Sequence, residues 1–362
     1  MGCVLNIKTS IGSLKLDNPV IVASGPLTSS LESIERVSKF KPGAVVTKTI
    51  AIKRAAPPKP DIYRESSFSI LNCEEWSTKP PEYWFEEAIP KAKKKTKVIA
   101  SVVSISGEPW ETVELARKAE DAGAHAIEVT CLYDPSRLPL QVREVVKSVE
   151  IPVLTKISIP KLEDEYVLKV CRELVEAGCS AIVVSDSYGP CLRIDPYSGE
   201  PVLAKGYGRI SGPAIKPFTM YFTALISSRL GAPVVSCGGI SSGLDVAEAI
   251  MLGATAVELC SILLLRGIRV LEDIINEFKD FLKEKDMDLR ELRGYALDKL
   301  SKGAKGGVPT PTEKCNGCGL CALVCPQEAI HIVNGRAVID RSRCRICGLC
   351  ASTCPIKAIR WV

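Results

Sequence analysis

Residues 98–131 read VIASVVSISGEPWETVELARKAEDAGAHAIEVTC. An apolar, β-branched run, Val98 to Val103, gives way to an amphipathic helical pattern from Pro109 to Ala122. A second apolar run follows, Ala126 to Cys131. Gly123 lies between Ala122 and Ala124, where a helix ends on a left-handed residue that glycine adopts without strain. Fully apolar runs separated by a helix are the signature of a parallel sheet covered on both faces. The same unit recurs along the chain. Val20 to Ala23, Ala44 to Lys48, Pro152 to Ile157, Ala181 to Ser185, Pro233 to Cys237 and Ala256 to Cys260 bring the apolar runs to eight. Helical patterns fall near Ser30 to Phe40, Glu82 to Lys95, Leu138 to Val149, Leu162 to Ala177, Ala214 to Leu230 and Ser242 to Leu252, with a last one from Val270 to Glu284. Gly178 and Gly253 repeat the helix-ending role of Gly123. Eight strands, each trailed by a helix within about 300 residues, predict a closed (β/α)8 TIM barrel rather than an open doubly wound sheet. Val4 to Ile7 and Leu14 to Leu16, around Ile11-Gly12-Ser13, read as a hairpin capping the barrel floor.

The chain has 362 residues, more than the roughly 250 of one such barrel, so a second, smaller domain is expected. With 46% hydrophobic and 25% charged residues it can bury a large core, which excludes disordered, collagen-like and fibrous classes. The net charge of +5 is small, and the one basic run, Lys91 to Lys97, reads as a solvated helix end, so no nucleic-acid partner is expected. The longest apolar candidate, Leu259 to Leu265, stops at Arg266, far short of the ~20 residues of a membrane span. Met1 to Lys15 lacks the basic, then apolar, then small-residue pattern of a signal peptide, and a cytoplasmic, reducing compartment is expected.

Sixteen cysteines are present, eight of them between Cys315 and Cys354. They form two runs, Cys315-x2-Cys318-x2-Cys321-x3-Cys325-Pro326 and Cys344-x2-Cys347-x2-Cys350-x3-Cys354-Pro355. This is the bacterial ferredoxin spacing, in which three close thiolates hold one 4Fe-4S cube and the fourth crosses to the other. By that rule Cys315, Cys318, Cys321 and Cys354 take one cluster, and Cys344, Cys347, Cys350 and Cys325 the other. A zinc site uses two pairs and no third cysteine at the same pitch. Ala329 to Val333 and Ala337 to Ile339, around Asn334-Gly335, read as the hairpin between the runs. The domains are therefore expected at 1–300 (barrel), 301–312 (a Gly, Lys and Pro linker) and 313–362 (an α+β ferredoxin-like domain with two clusters). So small a domain needs its clusters as staples.

Clusters pass single electrons, so something in the barrel must handle pairs. Barrel sites sit at the carboxyl ends of the strands, and phosphates commonly dock on the loops after strands seven and eight. Those loops are Cys237-Gly238-Gly239-Ile240-Ser241 and Cys260-Ser261, where glycines let amides approach an anion beside a helix start. Other strand ends and neighbouring loops offer Ala23-Ser24-Gly25, Lys48, Lys156 and Ser211-Gly212. Lys48 and Lys156 end strands that should be buried, and a buried ammonium is costly unless it meets an anion. A cofactor with one phosphate that splits electron pairs is flavin mononucleotide, FMN.

In order, the chain shows Asn18-Pro19 leading into Ala23-Ser24-Gly25-Pro26, Lys48, Ser66-Ser67-Phe68 with Leu71-Asn72, and Glu82-Tyr83-Trp84. Ile127-Glu128, Lys156, Ser211-Gly212 with Ala214-Ile215, Gly238-Gly239-Ile240 and Cys260-Ser261 follow, then the cysteine runs. The barrel resembles the dihydroorotate dehydrogenase family. Barrel and tail together resemble the C-terminal part of dihydropyrimidine dehydrogenase and its bacterial iron-sulfur subunit. The resemblance implies FMN held by Ala23, Ser24, Gly25, Lys48, Asn72, Lys156, Ser211, Gly212, Gly238, Gly239, Cys260 and Ser261. It implies a small pyrimidine-like substrate contacted by Asn72, Thr130, Asp186 and Ser187. A hydride and a neighbouring proton are exchanged between a CH-CH and a C=C bond, and electrons pass through the clusters to or from a partner protein. That partner is an NAD(P)H- and FAD-binding subunit or a ferredoxin, because no nicotinamide-binding Gly-x-Gly-x-x-Gly follows a strand here. The assembly is open between homo- and hetero-oligomer.

The chain departs from the family after the fourth strand. The motif Glu-x-Asn-x-Ser-Cys-Pro, whose Cys transfers the proton, appears as Glu128-Val129-Thr130-Cys131-Leu132-Tyr133-Asp134-Pro135. Thr130 stands for the Asn and Tyr133 for the Cys, while Cys131 comes two positions early. The family's Asn-Thr pair after strand six is Asp186-Ser187. Three readings stay open: Tyr133 is the proton-transferring group, Cys131 is, or neither acts and the substrate is no dihydropyrimidine. The alternative to an oxidoreductase with its own turnover is a flavin and iron-sulfur relay subunit whose partner does the chemistry.

Overall fold

Eight parallel strands close into a barrel in sequence order: β1 (Val20–Val22), β2 (Ala44–Val46), β3 (Val98–Val103), β4 (Ala126–Thr130), β5 (Val153–Ile157), β6 (Ala181–Val184), β7 (Val234–Cys237) and β8 (Ala254–Leu259). β8 returns to β1 with Val257 opposite Val20. The computed structural model describes residues 6–131, 135–159, 163–304 and 306–361. The chain divides into two units, Met1–Leu297 and Asp298–Val362.

All residues of the eight strands are buried, which is why they read as continuous apolar runs rather than alternating ones. Alternate side chains still part to two cores. Ile21, Ile99, Ala126, Leu154, Val235 and Ala256 fill the barrel interior, while Val20, Val98, Ile127, Val153 and Val234 pack outward against the helices. The period of two then decides the site. Glu128, Lys156, Cys237 and Glu258 each follow an interior residue by two positions, so they point inward near the carboxyl ends. Gly123, Gly178 and Gly253 end their helices with φ of 92°, 93° and 96°, in the left-handed sense that their place between helix and strand demands.

The floor hairpin is present with a different first arm. Thr9–Ile11 pairs with Leu14–Leu16, and of the expected arm Val4 to Ile7 the first two residues lie outside the described residues. The register puts Ile11 opposite Leu14 across the Gly12-Ser13 turn, and turn geometry outranks the apolarity of the preceding residues. Ile11, Leu14 and Leu16 pack into the interior core and plug it.

One element has no periodic signal in the sequence. An antiparallel sheet of four strands runs in the order Tyr188–Cys191, Gly208–Ser211, Ile70–Asn72, Ile62–Arg64. It is assembled from the long connections after β2 and β6, and Arg209 is paired with Asn72 in its register.

In the second unit, the hairpin Ile330–Val333 and Arg336–Ile339 turns through Asn334 and Gly335, both at positive φ (48° and 72°). Pro309–Pro311, in the stretch read as linker, forms a strand with Ile359–Trp361. Each cysteine run turns through a left-handed glycine, Gly319 or Gly348, into a short helix, Leu320–Leu323 or Leu349–Thr353.

Candidate active site

One cavity at the carboxyl ends of the strands is lined by Ala23, Ser24, Gly25, Lys48, Asn72, Thr130, Cys131, Lys156, Asp186, Ser187, Ser211, Gly212, Gly238, Gly239, Cys260 and Ser261. The structure thus brings together every barrel residue singled out from the sequence except Tyr133, which lies outside the described residues. Glu74, Glu128, Arg209 and Glu258 line it too. None of the four was picked out as a site residue from the sequence, Glu128 having been read only as part of the motif Glu128 to Pro135.

Both lysines meet their anions inside the chain. Lys48 Nζ lies 3.1 Å from Glu74 Oε1. Lys156 Nζ lies 2.7 Å from Glu258 Oε2 and 3.2 Å from Glu128 Oε2, with both glutamates fully buried. Burial, then the charge of Glu258, raises the Glu128 pKa to about 8, with Lys156 pulling it back down. Burial works against the Lys156 ammonium, but the two carboxylates outweigh it and hold its pKa well above the usual lysine value. The one signal in the sequence is Glu258 itself, an inward acid in an otherwise apolar run three strands on from Lys156.

The glycine loops admit no side chain. A Cβ on Gly239 (φ 79°) would stand 2.5 Å from the Lys216 backbone nitrogen, and one on Gly25 would stand 2.7 Å from Cys260 Sγ. Ser261 donates to Ser211 Oγ at 2.8 Å, joining the loop after β8 to the one before the helix Lys216–Leu230. The start of the helix that follows the glycine pair is not a free anion seat. In the helix Gly243–Met251 the amides of Ser241, Gly243 and Asp245 are already taken by Asp245, Glu277 and Ser242. The helix dipole expected near Ser241 therefore spends itself on the chain's own acids, and the amides left for a phosphate are those of the glycine pair.

On the opposite wall Arg209 clasps Ser187. Its Nη2 donates to the Ser187 carbonyl at 2.6 Å, and its Nε to that carbonyl and to the Ser187 hydroxyl, both at 3.1 Å. Ser187 N–H donates to Asp186 Oδ1 at 2.7 Å. Thr130 stands in register with Lys156, and Cys131 follows at the rim, half-buried. Ser24, Thr49 and Ser101 form a hydroxyl chain with 3.2 and 3.1 Å steps. The cavity fits FMN in its donor set. It offers ammonium, guanidinium and hydroxyl donors, glycine backbone that no side chain can cover, and the buried Oε1 atoms of Glu128 and Glu258, which have no hydrogen-bond partner among the described residues.

In the second unit, Cys315, Cys318, Cys321 and Cys354 line one pocket. Cys325, Cys344, Cys347 and Cys350 line another. Each set draws three cysteines from one run and the fourth from the other. Backbone amides point at the sulfurs: Ala329 donates to Cys325 Sγ at 3.3 Å, Ala337 to Cys315 Sγ at 3.4 Å and Ala358 to Cys354 Sγ at 3.2 Å. Amides of Ala337 and Gly317 hold the Cys315 thiol below its usual pKa, toward the thiolate that iron binds. These cages fit 4Fe-4S clusters.

The dihydroorotate dehydrogenase family is matched over residues 6–282, and a 4Fe-4S dicluster domain over residues 314–358. Curated relatives include the dihydroorotate dehydrogenase B (NAD(+)) catalytic subunits of Thermoplasma volcanium, 29% identical over 81% of this chain and 99% of the relative, and of Pyrococcus abyssi, 30% identical over 80% and 99%. That of Pyrococcus furiosus is 29% identical over 81% and 99%. The relatives are thus matched almost whole by about four-fifths of this chain. FMN and two 4Fe-4S clusters are the cofactors of this combination, and the chain, a flavin- and iron-sulfur-dependent oxidoreductase, belongs to the dihydroorotate dehydrogenase family.

Proposed function

We propose that the chain interconverts a CH-CH and a C=C bond of a carboxylated, dihydroorotate-type pyrimidine and passes the electrons through its two clusters to or from a partner protein. When bound, FMN supplies the acceptor for a hydride and the conversion of an electron pair into single electrons. The observation that carries the substrate class is Arg209. Of the three cations lining the cavity, Lys48 and Lys156 have carboxylate partners, while Arg209 has no ion pair among the described residues. Its guanidinium suits a carboxylate, and an uncharged dihydropyrimidine would leave it unmatched.

Ala23, Ser24, Gly25, Lys48, Lys156 and Cys260 would hold the flavin ring, and Ser211, Gly212, Gly238, Gly239 and Ser261 its phosphate. Asn72, Thr130, Asp186 and Ser187 would hold the ring amides of the substrate, with Asn72 also facing the flavin. Cys131, at the rim beside Thr130, would move the proton, Tyr133 being the other candidate. The relatives named above are NAD(+)-linked catalytic subunits, and this chain would likewise work with an NAD(P)H- and FAD-binding subunit or a ferredoxin, in a homo- or hetero-oligomer. We place it in the cytoplasm, where cluster thiolates stay reduced. Among the described residues no helix is long and apolar enough to cross a membrane. The functional division would be a barrel at 1–300, a connection at 301–312 and an electron-transfer domain at 313–362.

The test is flavin bleaching in anaerobically purified holoenzyme with dihydroorotate, dihydrouracil and dihydrothymine. Dihydroorotate alone is expected to bleach it. Bleaching by the uncharged compounds instead would overturn the carboxylate assignment, and reduction only by a partner protein would favour the relay reading.

A further inference from the structure

The barrel interior holds one more acid than its lysine neutralises. Glu128 from β4 and Glu258 from β8 both reach Lys156 from β5, and all three side chains are buried. With both carboxylates ionised the group would carry one net negative charge out of contact with water, which is expensive. The other neighbours do not relieve it. Cys237 on β7 is a thiol whose pKa burial pushes well up, so it stays neutral, and beyond it lies Asp186, another acid. Cys260, after β8, is likewise held neutral by burial, its pKa pushed up to about 12, and Lys48 is engaged by Glu74.

Hydrogen bonding gives the same count. Oε2 of each glutamate faces the Lys156 ammonium, while Glu128 Oε1 and Glu258 Oε1 are buried acceptors without a hydrogen-bond partner among the described residues. Both carboxyl groups converge on the single Lys156 Nζ, at 3.2 and 2.7 Å, and so stand side by side. Two buried carboxylates that share one ammonium repel each other, and a proton on one of them removes the repulsion and turns an acceptor into a donor. One proton thus removes the excess charge and supplies the missing donor at once.

We propose that Glu128 and Glu258 share one proton beside Lys156, and that this proton is bound more tightly when the flavin in the same cavity is reduced, so that the pair couples electron loading to proton uptake from bulk water. The inference rests on the flavin alone and is independent of which substrate or proton-transferring residue the enzyme uses. Hydride transfer brings two electrons and one proton to the flavin and adds one negative charge to the cavity. A carboxylate of the pair that has lost its proton to solvent then takes one back, becoming a carboxylic acid, and releases it when the electrons leave singly through the clusters. Glu128 and Glu258 act through Lys156 and are positioning residues.

Because the Glu128 pKa lies at about 8, the proton is present in both redox states below that pH and nothing is exchanged. Above it the oxidised enzyme has lost the proton and reduction draws it back. Two-electron reduction therefore takes up one proton below the break and two above it. Redox titration of the flavin in the holoenzyme, on both sides of that pH, reads this as a midpoint potential whose slope against pH doubles. Glu128→Gln is expected to keep a single slope throughout. Glu258→Gln removes the like charge that raises Glu128 and is expected to move the break to lower pH. An unbroken slope in the wild-type enzyme overturns the proposal, as does a break that survives Glu128→Gln. If Glu128→Gln does not hold flavin, Glu258→Gln decides, because a break left at its original pH overturns the proposal too. Packing alone would not move a proton count.

Discussion

The Arg209 guanidinium holds the Ser187 main chain in place, its Nη2 2.6 Å from the Ser187 carbonyl oxygen. The two residues lie 22 positions apart in the one long connection after β6, Ser187 near its start and Arg209 on the strand Gly208–Ser211. Arg209 therefore shapes the wall of the cavity and presents a cation to whatever fills it. Arg209→Gln is expected to lower kcat/KM for a carboxylated substrate by about 10- to 100-fold, the value of one hydrogen bond to a charged group. Arg209→Lys is expected to recover only part of that, because an ammonium cannot span two acceptors as the planar fork does. Steady-state kinetics on both variants, with flavin content as control, checks this.

The barrel was readable because its physics is local. A buried strand must be apolar along its whole length, a helix must show its period, and a left-handed cap selects glycine, so Val98 to Gly123 declare themselves one after another. Gly238, Gly239, Lys48 and Lys156 were readable for the same reason: each is costly where it stands unless something there needs it. Arg209 was not. Its sheet pairs Gly208–Ser211 with Ile70–Asn72, well over 100 positions away in sequence, and no period in either segment announces the pairing. Glu258 escaped notice because one acid in a buried strand has meaning only beside the lysine three strands back around the barrel. The floor hairpin slipped because Val4 to Ile7 are more apolar than Thr9–Ile11, whereas the Gly12-Ser13 turn sets the register.

Cys131 lines the cavity at the end of β4, next to Thr130. If it moves the proton, Cys131→Ser is expected to slow the reductive half-reaction by about 10²- to 10⁴-fold while leaving flavin content and cluster spectra unchanged. Tyr133→Phe is then expected to fall within a few-fold of wild type. Stopped-flow flavin reduction on the two variants separates the assignments, and the reverse ranking gives the role to Tyr133.

The shared cavities of the tail make a crossed prediction. Cys354→Ala is expected to remove the cluster whose other ligands are Cys315, Cys318 and Cys321, and Cys325→Ala the other one. Each variant should keep about four of the roughly eight irons per chain, if the tail still folds. Iron analysis and low-temperature electron paramagnetic resonance of the reduced protein report which cluster survives. Loss of the neighbouring run's cluster instead would mean that ligation does not cross.

Glu128 also sets a pH dependence of stability. Its pKa is about 8 in the fold against an ordinary 4.5, so the folded state binds an extra proton between these values and its contribution is lost as pH rises through the folded pKa. His125, whose pKa burial and the nearby Lys97 and Lys93 lower from 6.5, acts in the opposite direction below that value. The window from 6.5 to about 8 is therefore left to Glu128. There the stability is expected to fall by up to about 1.4 kcal/mol per pH unit, a drop in the barrel's thermal midpoint of about 2 to 4 °C per unit. Glu128→Gln is expected to flatten the curve over the same window, as read by calorimetry of the holoenzyme.

Gly239 separates backbone strain from collision. Gly239 and Gly199 have nearly the same left-handed φ, 79° and 74°, so alanine at either position meets the same conformational penalty, on the order of 1 kcal/mol. Their surroundings differ. Nothing lies within 4 Å of a Cβ at Gly199, whereas one at Gly239 would stand 2.5 Å from Lys216 N and 2.7 Å from Lys216 Cα. Both of those are main-chain atoms at the start of a helix whose Lys216 side chain is tied to Asp245 and Glu248 at 2.7 and 2.8 Å. The helix cannot retreat, so the loop must, and its amides leave the place where a phosphate would sit. Gly239→Ala is expected to lose FMN by at least about 10-fold in affinity while keeping both clusters, and Gly199→Ala to keep both cofactors. Flavin release on dilution, followed by fluorescence, tells the two apart. Equal retention of flavin by the two variants would remove the glycine pair from the phosphate site.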